Sequence, residues 1–335
     1  MELQWSSIRA LLPVDLEDIA RRTGALQRRR GVKSAEVLLR INLLYALNKA
    51  SLAYVSTVAR EMGLADLNPA AVFFRVRDSE RFLEELLNKL LEPLQGRHRI
   101  RIADATVLCG PNAKGPNQRV HVCYDPALGL PISVEITDAR GGEHFSRHPV
   151  GANTLILGDR GYGYAREILP ILESGGQFFV RVEPCSNRFF DGKGHKYKAD
   201  EFLAGLSVSE SLEREVFLES RTEPLRLIGT LTPEGNAVFL LTNVPADEIP
   251  TQEAREFYRL RWQIELFFKR MKSLLDLGEL RSREGPTARS WILAKFILAV
   301  LLVRAEQEIF SPREAHLKRL EEISGGPVEH LQMLV

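Results

Sequence analysis

The spacing of apolar residues changes near residue 96, and this change constrains the fold more than any other feature of the chain. Before it, EVLLRINLLYAL (36–47), SLAYVSTVAREM (51–62) and SERFLEELLNKLLEPL (79–94) carry apolar residues three and four apart, which predicts helices. Gly63 ends the second, and Asn68-Pro69 starts another with an N-cap and a proline at the first turn. After it, RIRIADATVL (99–108), RVHVCYD (119–125) and LPISVEITDA (130–139) alternate with period two, which predicts three strands joined by the turns NAKGPNQ and PALG. TLILGDRGYG (154–163) reads as a short buried strand ending in a glycine-rich turn. AREILPILESGG (165–176) reads as a helix closed by glycine, with Pro170 a candidate kink, and QFFVRVE (177–183) as a further strand. The expected fold class is therefore α/β, a mixed sheet flanked by helices behind an N-terminal helical region.

From about 184 to 250 the segments REVFLES, LRLIGTL and NAVFLLTNV predict an antiparallel β insertion. TQEAREFYRLRWQIELFFKRMKSLLDLG (251–278) predicts the longest helix, with Thr251 as N-cap and Gly278 as C-cap. The expected organisation is a helical region over 1–95, a first part of the core over 96–183, the insertion over 184–250, core helices over 251–305 and a tail over 306–335 with possible dimer contacts.

A formal charge of +1 excludes a general polyanion-binding surface, so any nucleic-acid contact has to come from local patches. Cys109, Cys123 and Cys185 form no CxxC pair, which points to a reducing compartment rather than a disulfide framework or zinc ribbon. MELQWSSIRA lacks an apolar signal-peptide region. The run WILAKFILAVLLV (291–303) is too short to span a bilayer and contains Lys295, so it is read as a buried helix. A soluble, cytoplasmic protein with no membrane partner is expected.

Two carboxylates sit where apolar strands would otherwise bury them. Asp104 lies in the middle of the first strand, and Asp159 ends TLILG. An acidic side chain there is costly unless it is paired or binds a cation, and ligand sites in open α/β sheets gather at strand ends. Two such carboxylates, joined by a third from a helix, make a hard-cation site suited to Mg2+. Two ions at such a site can activate a water and stabilise the leaving oxygen of a phosphodiester. The plainer alternatives are backbone capping for Asp104 and turn formation for Asp159. Asp138 is a rival ligand, ranked lower because Gly141-Gly142 suggests a plain loop.

The helix YRLRWQIELFFKRMKSLL supplies the third carboxylate, Glu265, amid cations. At about 100° per residue, Tyr258, Arg261, Glu265 and Lys272 fall within an arc of about 60°. Phe257, Leu260, Ile264, Phe267 and Met271 form a separate apolar stripe. The face has two readings. One is ordinary i,i+4 ion pairing, Arg261–Glu265 and Glu265–Lys269. The other is a cationic rim that receives a phosphate backbone lying across a metal.

The series Y-x2-R-x3-E-x6-K, met by Tyr258, Arg261, Glu265 and Lys272, resembles the signature of the IS4-type DDE transposases, the group that includes the Tn5 and Tn10 enzymes. IADAT around Asp104, GGEH at 141–144 and LGDRGYG around Asp159 add to the likeness, which covers roughly residues 35–305. The resemblance implies a ribonuclease-H-like core with a β insertion before the last catalytic helix. It implies Asp104, Asp159 and Glu265 as the catalytic, metal-binding triad for two Mg2+ ions, with Mn2+ a substitute. Tyr258, Arg261 and Lys272 would hold phosphates, with Trp262, Lys269 and Arg160 as further DNA contacts. The implied partners are the double-stranded terminal inverted repeats and target DNA, engaged by a homodimer associated with the nucleoid. The implied reaction is strand cleavage and strand transfer, through a hairpin in some relatives. Those relatives stack an insertion-domain tryptophan, whereas Trp5, Trp262 and Trp291 all lie outside 184–250. Phe189, Phe190 and Tyr197 are aromatic candidates for that role or for the core.

VAREMG (58–63) suggests a helix-turn-helix with a lengthened turn, and Arg75 and Arg77 follow it as candidate contacts to end DNA. Arg28, Arg29, Arg30 and Lys33 form a basic run suited to phosphates or to a solvated loop. His144 and His148 have metal-compatible spacing but lack the further ligands of a catalytic zinc. The competing functions are a retired transposase-derived DNA-binding protein and a metal-dependent nuclease or phosphatase on the same sheet.

Overall fold

The computed structural model describes residues 5–27, 31–47, 50–183, 189–196, 202, 211–218, 223–232 and 234–309, and no side chains from 306 to 309. Arg28, Arg29, Arg30, Cys185, Tyr197 and nearly all of the 306–335 tail lie outside the described residues.

The first part of the chain is helical, as its apolar spacing predicts. It forms α1 (Trp5–Ala10), α2 (Leu16–Arg22), α3 (Ala35–Ala46), α4 (Leu52–Glu61), α5 (Pro69–Arg77) and α6 (Glu80–Leu91). Side-chain caps set three of the starts. The Ser34 and Ser51 hydroxyls accept from the Val37 and Tyr54 amides, and Asn68 Oδ1 accepts from the Ala71 amide at 2.8 Å with Pro69 in the first turn. Gly63 follows α4 at φ +66°, a conformation that needs no Cβ.

The sheet comprises β1 (Ile100–Cys109), β2 (Pro116–Asp125), β3 (Leu130–Asp138), β4 (Leu155–Gly158), β5 (Gln177–Val182), β6 (Phe189–Phe190), β7 (Ser211–Leu218), β8 (Leu225–Leu231) and β9 (Ala237–Thr242). Helix α7 (Ala165–Glu173), which contains Pro170, joins β4 to β5. The spatial order is β3-β2-β1-β4-β5-β9-β8-β7-β6. β1, β4 and β5 are parallel, and the other pairings are antiparallel. The insertion strands therefore extend the core sheet: β9 pairs directly with β5, Val180 opposite Leu241.

The segment 251–278 is not one helix. It divides into α8 (Ala254–Tyr258), a 3-10 turn (Arg259–Arg261) and α9 (Trp262–Leu274). Thr251 does not cap it, because its hydroxyl donates to Glu213 Oε2 at 2.5 Å beside Arg226. Gly278 does not close it either, since α9 ends at Leu274 with Leu275 as its C-cap, and Asp276 takes the left-handed conformation at φ 55°. The tighter turn falls between two anchors. Phe257 of α8 packs on Phe179 of β5 at 5.3 Å between ring centroids, and Ile264, Phe267 and Met271 of α9 enter the core.

Helix α10 (Gly285–Ile309) is longer than the apolar run that predicts it. Contrary to the expectation from the shorter run, Gly285–Ala305 is long and apolar enough to cross a bilayer, but 78% of its most apolar window is buried inside the protein. It is the central rod of the larger core, which joins the N-terminal helices, α9 and one face of β1–β3. The second core lies on the other face of the sheet and includes Phe145, Tyr162, α7 and the insertion strands; Phe189, 2% exposed, belongs to it. Lys295 is buried in α10 over the Trp291 ring. Its ammonium donates to the Ala46 carbonyl at 2.7 Å and to the Leu275 carbonyl, tying together the ends of α3 and α9. Trp291→Ala should lower the unfolding free energy by roughly 3–5 kcal/mol, as loss of a buried tryptophan does. Urea denaturation checks this, and a loss under about 1 kcal/mol would show that the core does not depend on α10 in this way.

Candidate active site

The parallel register sets the site. Ile100, Arg101 and Ile102 of β1 face Leu155, Ile156 and Leu157 of β4. Carried two residues further, this register brings Asp104 level with Asp159. Asp104 shares a strand face with Ile102 and Thr106, the face turned toward α9. Its Oδ1 accepts from the Ala105 amide at 2.7 Å, and Asp159 Oδ1 accepts from the Gly161 amide at 2.7 Å, capping a short 3-10 turn (Arg160–Tyr162). The capping and turn-forming roles weighed for these residues thus coexist with their convergence.

Burial raises the Asp104 carboxyl to about 7; the neighbouring Asp159 and Glu143 charges push the same way, against Arg261 and the Ala105 amide. Glu143 lies in the loop before β4. Its carboxyl is also raised, first by burial and then by Asp159, against Arg119. Glu143 is the acidic neighbour that the sequence reading does not single out, although it lies within GGEH. Only the folded loop brings it to Asp159.

Glu265 stands on the first turn of α9, 51% exposed, with Arg261 Nη2 at 2.5 Å from its Oε1. It lines an open groove of about 520 Å3 with Thr106, Phe268, Lys269, Lys272 and Ser273. The groove lies against β1, two residues along from Asp104. Arg261 is half-buried, reaches Asp104 electrostatically, and has an Nε with no hydrogen-bond partner among the described residues. The Tyr258 hydroxyl donates to the Gly158 carbonyl at 3.0 Å, fastening α8 to the residue before Asp159; burial raises its phenol to about 12. Glu265 and Lys272 thus line one groove with Arg261 paired to Glu265, while Tyr258 is spent on the backbone. Trp262, Lys269 and Lys272 are exposed.

The other candidates are exposed or engaged elsewhere. Arg160 is exposed, 3.8 Å from Glu183. Arg77 pairs with Asp78 at 2.7 Å and covers the Phe74 ring, and Arg75 is half-buried on the same helix. Lys33 is exposed. Asp138 caps its own loop, accepting from the Arg140 and Gly141 amides at 2.9 and 3.1 Å.

The donor set fits a hard divalent cation. The charges of Asp159 and Glu143 raise the cost of ionising Asp104, and Asp159 raises that of Glu143; a cation at the cluster would reverse that. The groups approach without closing: among the described residues, no three His, Cys, Asp or Glu side chains are drawn together closely enough to hold an ion. Glu265 is engaged by Arg261 instead.

Behind the carboxylates lies a buried polar layer. His121 Nε2 meets Thr137 Oγ1 at 2.9 Å, and neither ring nitrogen of His148 has a hydrogen-bond partner among the described residues. Burial lowers His121 to about 4 and His148 to about 3. His144 faces Glu167 at 2.7 Å instead of sharing a metal with His148. Because both buried histidines titrate below the ordinary 6.5, the stability they contribute is present above pH 6.5. It is lost as pH falls toward 4 and 3. His148→Asn should therefore flatten the fall in melting temperature between pH 6.5 and 4; an unchanged slope would remove His148 as a cause.

Residues 95–301 match the family described as Transposase DDE domain. The putative transposase InsL for insertion sequence element IS186A of Escherichia coli K12 is 31% identical over 93% of this chain and 96% of its own. The transposase for insertion sequence element IS421 of Escherichia coli matches equally, at 31% over 93% and 96%. Among solved structures, the cryo-EM structure of the piggyBac transposase synaptic complex with hairpin DNA aligns at a TM-score of 0.56. It does so with 10% identity, over 98% of this chain and 78% of that one.

Proposed function

This chain belongs to the DDE transposases of insertion sequences, the IS4-type group, and we propose that Asp104, Asp159 and Glu265 are its catalytic triad, cutting and joining DNA at the ends of its element. The observation that carries this reading is the parallel β1–β4 register, which sets two half-buried carboxylates side by side, next to a groove holding the third. Members of this family use a divalent metal; the all-oxygen donor set here favours Mg2+, with Mn2+ as a substitute. When bound, such ions supply Lewis-acid stabilisation of phosphoryl oxygens and activation of water.

The chain's own residues do the rest. Lys269 and Lys272 are exposed along the groove that Glu265 lines, and they would take the phosphates on either side of the scissile bond. Arg261 pairs with Glu265 and holds its carboxylate at the edge of the groove. Tyr258 acts as a positioning residue, because its hydroxyl is held by the Gly158 carbonyl next to Asp159. Cleavage is the in-line attack of water on phosphorus: the P–O3′ bond breaks and a free 3′-hydroxyl leaves. In strand transfer that hydroxyl attacks a target phosphorus, and the displaced 3′-oxygen takes the proton. One set of carboxylates serves both displacements. Trp262, exposed next to Arg261, and Arg160, Arg75 and Arg77 are further DNA contacts on this reading. Because two ends must be joined, the working form is a homodimer on terminal inverted repeats.

The test is end-labelled DNA from both flanks of the gene, incubated with protein and Mg2+ and resolved on a denaturing gel. Wild type should cut at the two element ends, and Asp159→Asn and Glu265→Gln should each fall by roughly 100- to 1,000-fold, since a metal contributes several kcal/mol to such a step. Specific binding without cleavage, under Mn2+ as well, would favour a retired DNA-binding protein; cuts without regard to the ends would favour a nuclease. Lys272→Ala should weaken binding to all sequences and lower the salt slope by about one.

A further inference from the structure

Glu143 is placed with unusual care for a loop residue. Gly142 before it has its carbonyl held by Arg147 Nε at 2.9 Å, and Arg147 in turn pairs with Glu135 of β3 at 2.5 Å. Directly after it, His144 Nδ1 and the Phe145 amide both meet the carboxylate of Glu167 on α7, at 2.7 and 3.0 Å. Glu167 is buried, 4% exposed. The loop is thus pinned from the sheet on one side and from a helix on the other.

Between these anchors the Glu143 side chain turns inward to Asp159. A Cβ built on Gly161 would stand 2.5 Å from Glu143 Oε2 and 3.0 Å from Asp159 Oδ1. Both carboxylates therefore crowd the space that Gly161 leaves empty. Arg119 is 3.5 Å from Glu143 Oε1, an ion pair longer than a hydrogen bond. Tyr162 is fully buried, its hydroxyl has no hydrogen-bond partner among the described residues, and it lies within electrostatic reach of Glu143, Asp104 and Asp159. A buried hydroxyl without a partner costs about 1–3 kcal/mol.

We infer that Glu143 is a fourth carboxylate of the cation site, acting with Asp159 across the gap at Gly161. The inference rests on the reading of Asp104 and Asp159 as cation ligands and adds a residue outside the three-carboxylate series. Gly161 is there for close approach: its missing side chain is the space the two carboxylates share. Arg119 holds Glu143 at the edge of the site without a competing short bond.

The experiment is a Mn2+ titration of the full-length protein without DNA, with free Mn2+ followed by electron paramagnetic resonance. Glu143→Gln keeps the shape and removes the charge, and it should weaken Mn2+ binding by about 10- to 100-fold, with Glu143→Asp between it and wild type. Gly161→Ala, which displaces both carboxylates, should weaken binding as well and serves as the second variant if Glu143→Gln fails to fold. Thermal unfolding in EDTA should show Glu143→Gln no less stable than wild type, because a like charge beside Asp159 has gone. Wild-type Mn2+ affinity in Glu143→Gln, alongside loss in Asp159→Asn, would overturn this inference alone and leave Glu143 as a counterion of Arg119. Failure of the wild-type protein to bind Mn2+ would overturn it together with the reading of the aspartates.

Discussion

The parallel pairing of β1 with β4 is the constraint on which the site depends. It puts Asp104 and Asp159 on neighbouring strands at the same level, half-buried, where two like charges are unfavourable. The surroundings moderate this cost without removing it. Backbone amides of Ala105 and Gly161 bond one oxygen of each aspartate, and Arg261 lends positive charge to Asp104 from the 3-10 turn before α9. What remains uncompensated is the cost of ionising Asp104, chiefly its burial and then its neighbour Asp159.

The helix bearing Glu265 is held by contacts at both of its ends. At the start, Tyr258 is bonded to the Gly158 carbonyl and Phe257 packs on Phe179, so α8 follows the parallel strands. At the far end, the Leu275 carbonyl is taken by Lys295 from α10, which also binds the last turn of α3. Ile264, Phe267 and Met271 fill the space between. Glu265 itself stays exposed on the outer side of this fixed frame, free to exchange Arg261 for another partner at little cost in packing. The N-terminal helices share their core with α9, α10 and the sheet, so a DNA contact on α5 would be registered rigidly with the carboxylates.

Much of this was legible in the residues. The change of apolar period marked the start of the sheet, and Asn68-Pro69 marked a helix start where the amide cap is found. Asp104 stood out as an acid within an apolar strand, and the spacing of Tyr258, Arg261, Glu265 and Lys272 survived the break in their helix. Glu265 and Lys272 line one groove, Arg261 in the 3-10 turn pairs with Glu265, and Tyr258 reaches the Gly158 carbonyl instead. Thr251 and Gly278 misled for a common reason. Their local preference was for helix ends, but Thr251 had a stronger partner in Glu213, and the chain had already left the helix at Leu275.

The sequence by itself determined what is local: which segments are helices and strands, which residues cap them, and which polar groups occupy apolar positions. These follow from side-chain period and backbone preference within a few residues. The tertiary structure decided what depends on residues distant in the chain. It aligned β1 with β4, added β9 to β5 so that the insertion continues the core sheet, and brought Glu143 against Asp159 across Gly161. No spacing in the chain encodes those meetings. They arise when buried faces and backbone hydrogen bonds select one packing among many, and the chemistry of the site is a consequence of that choice.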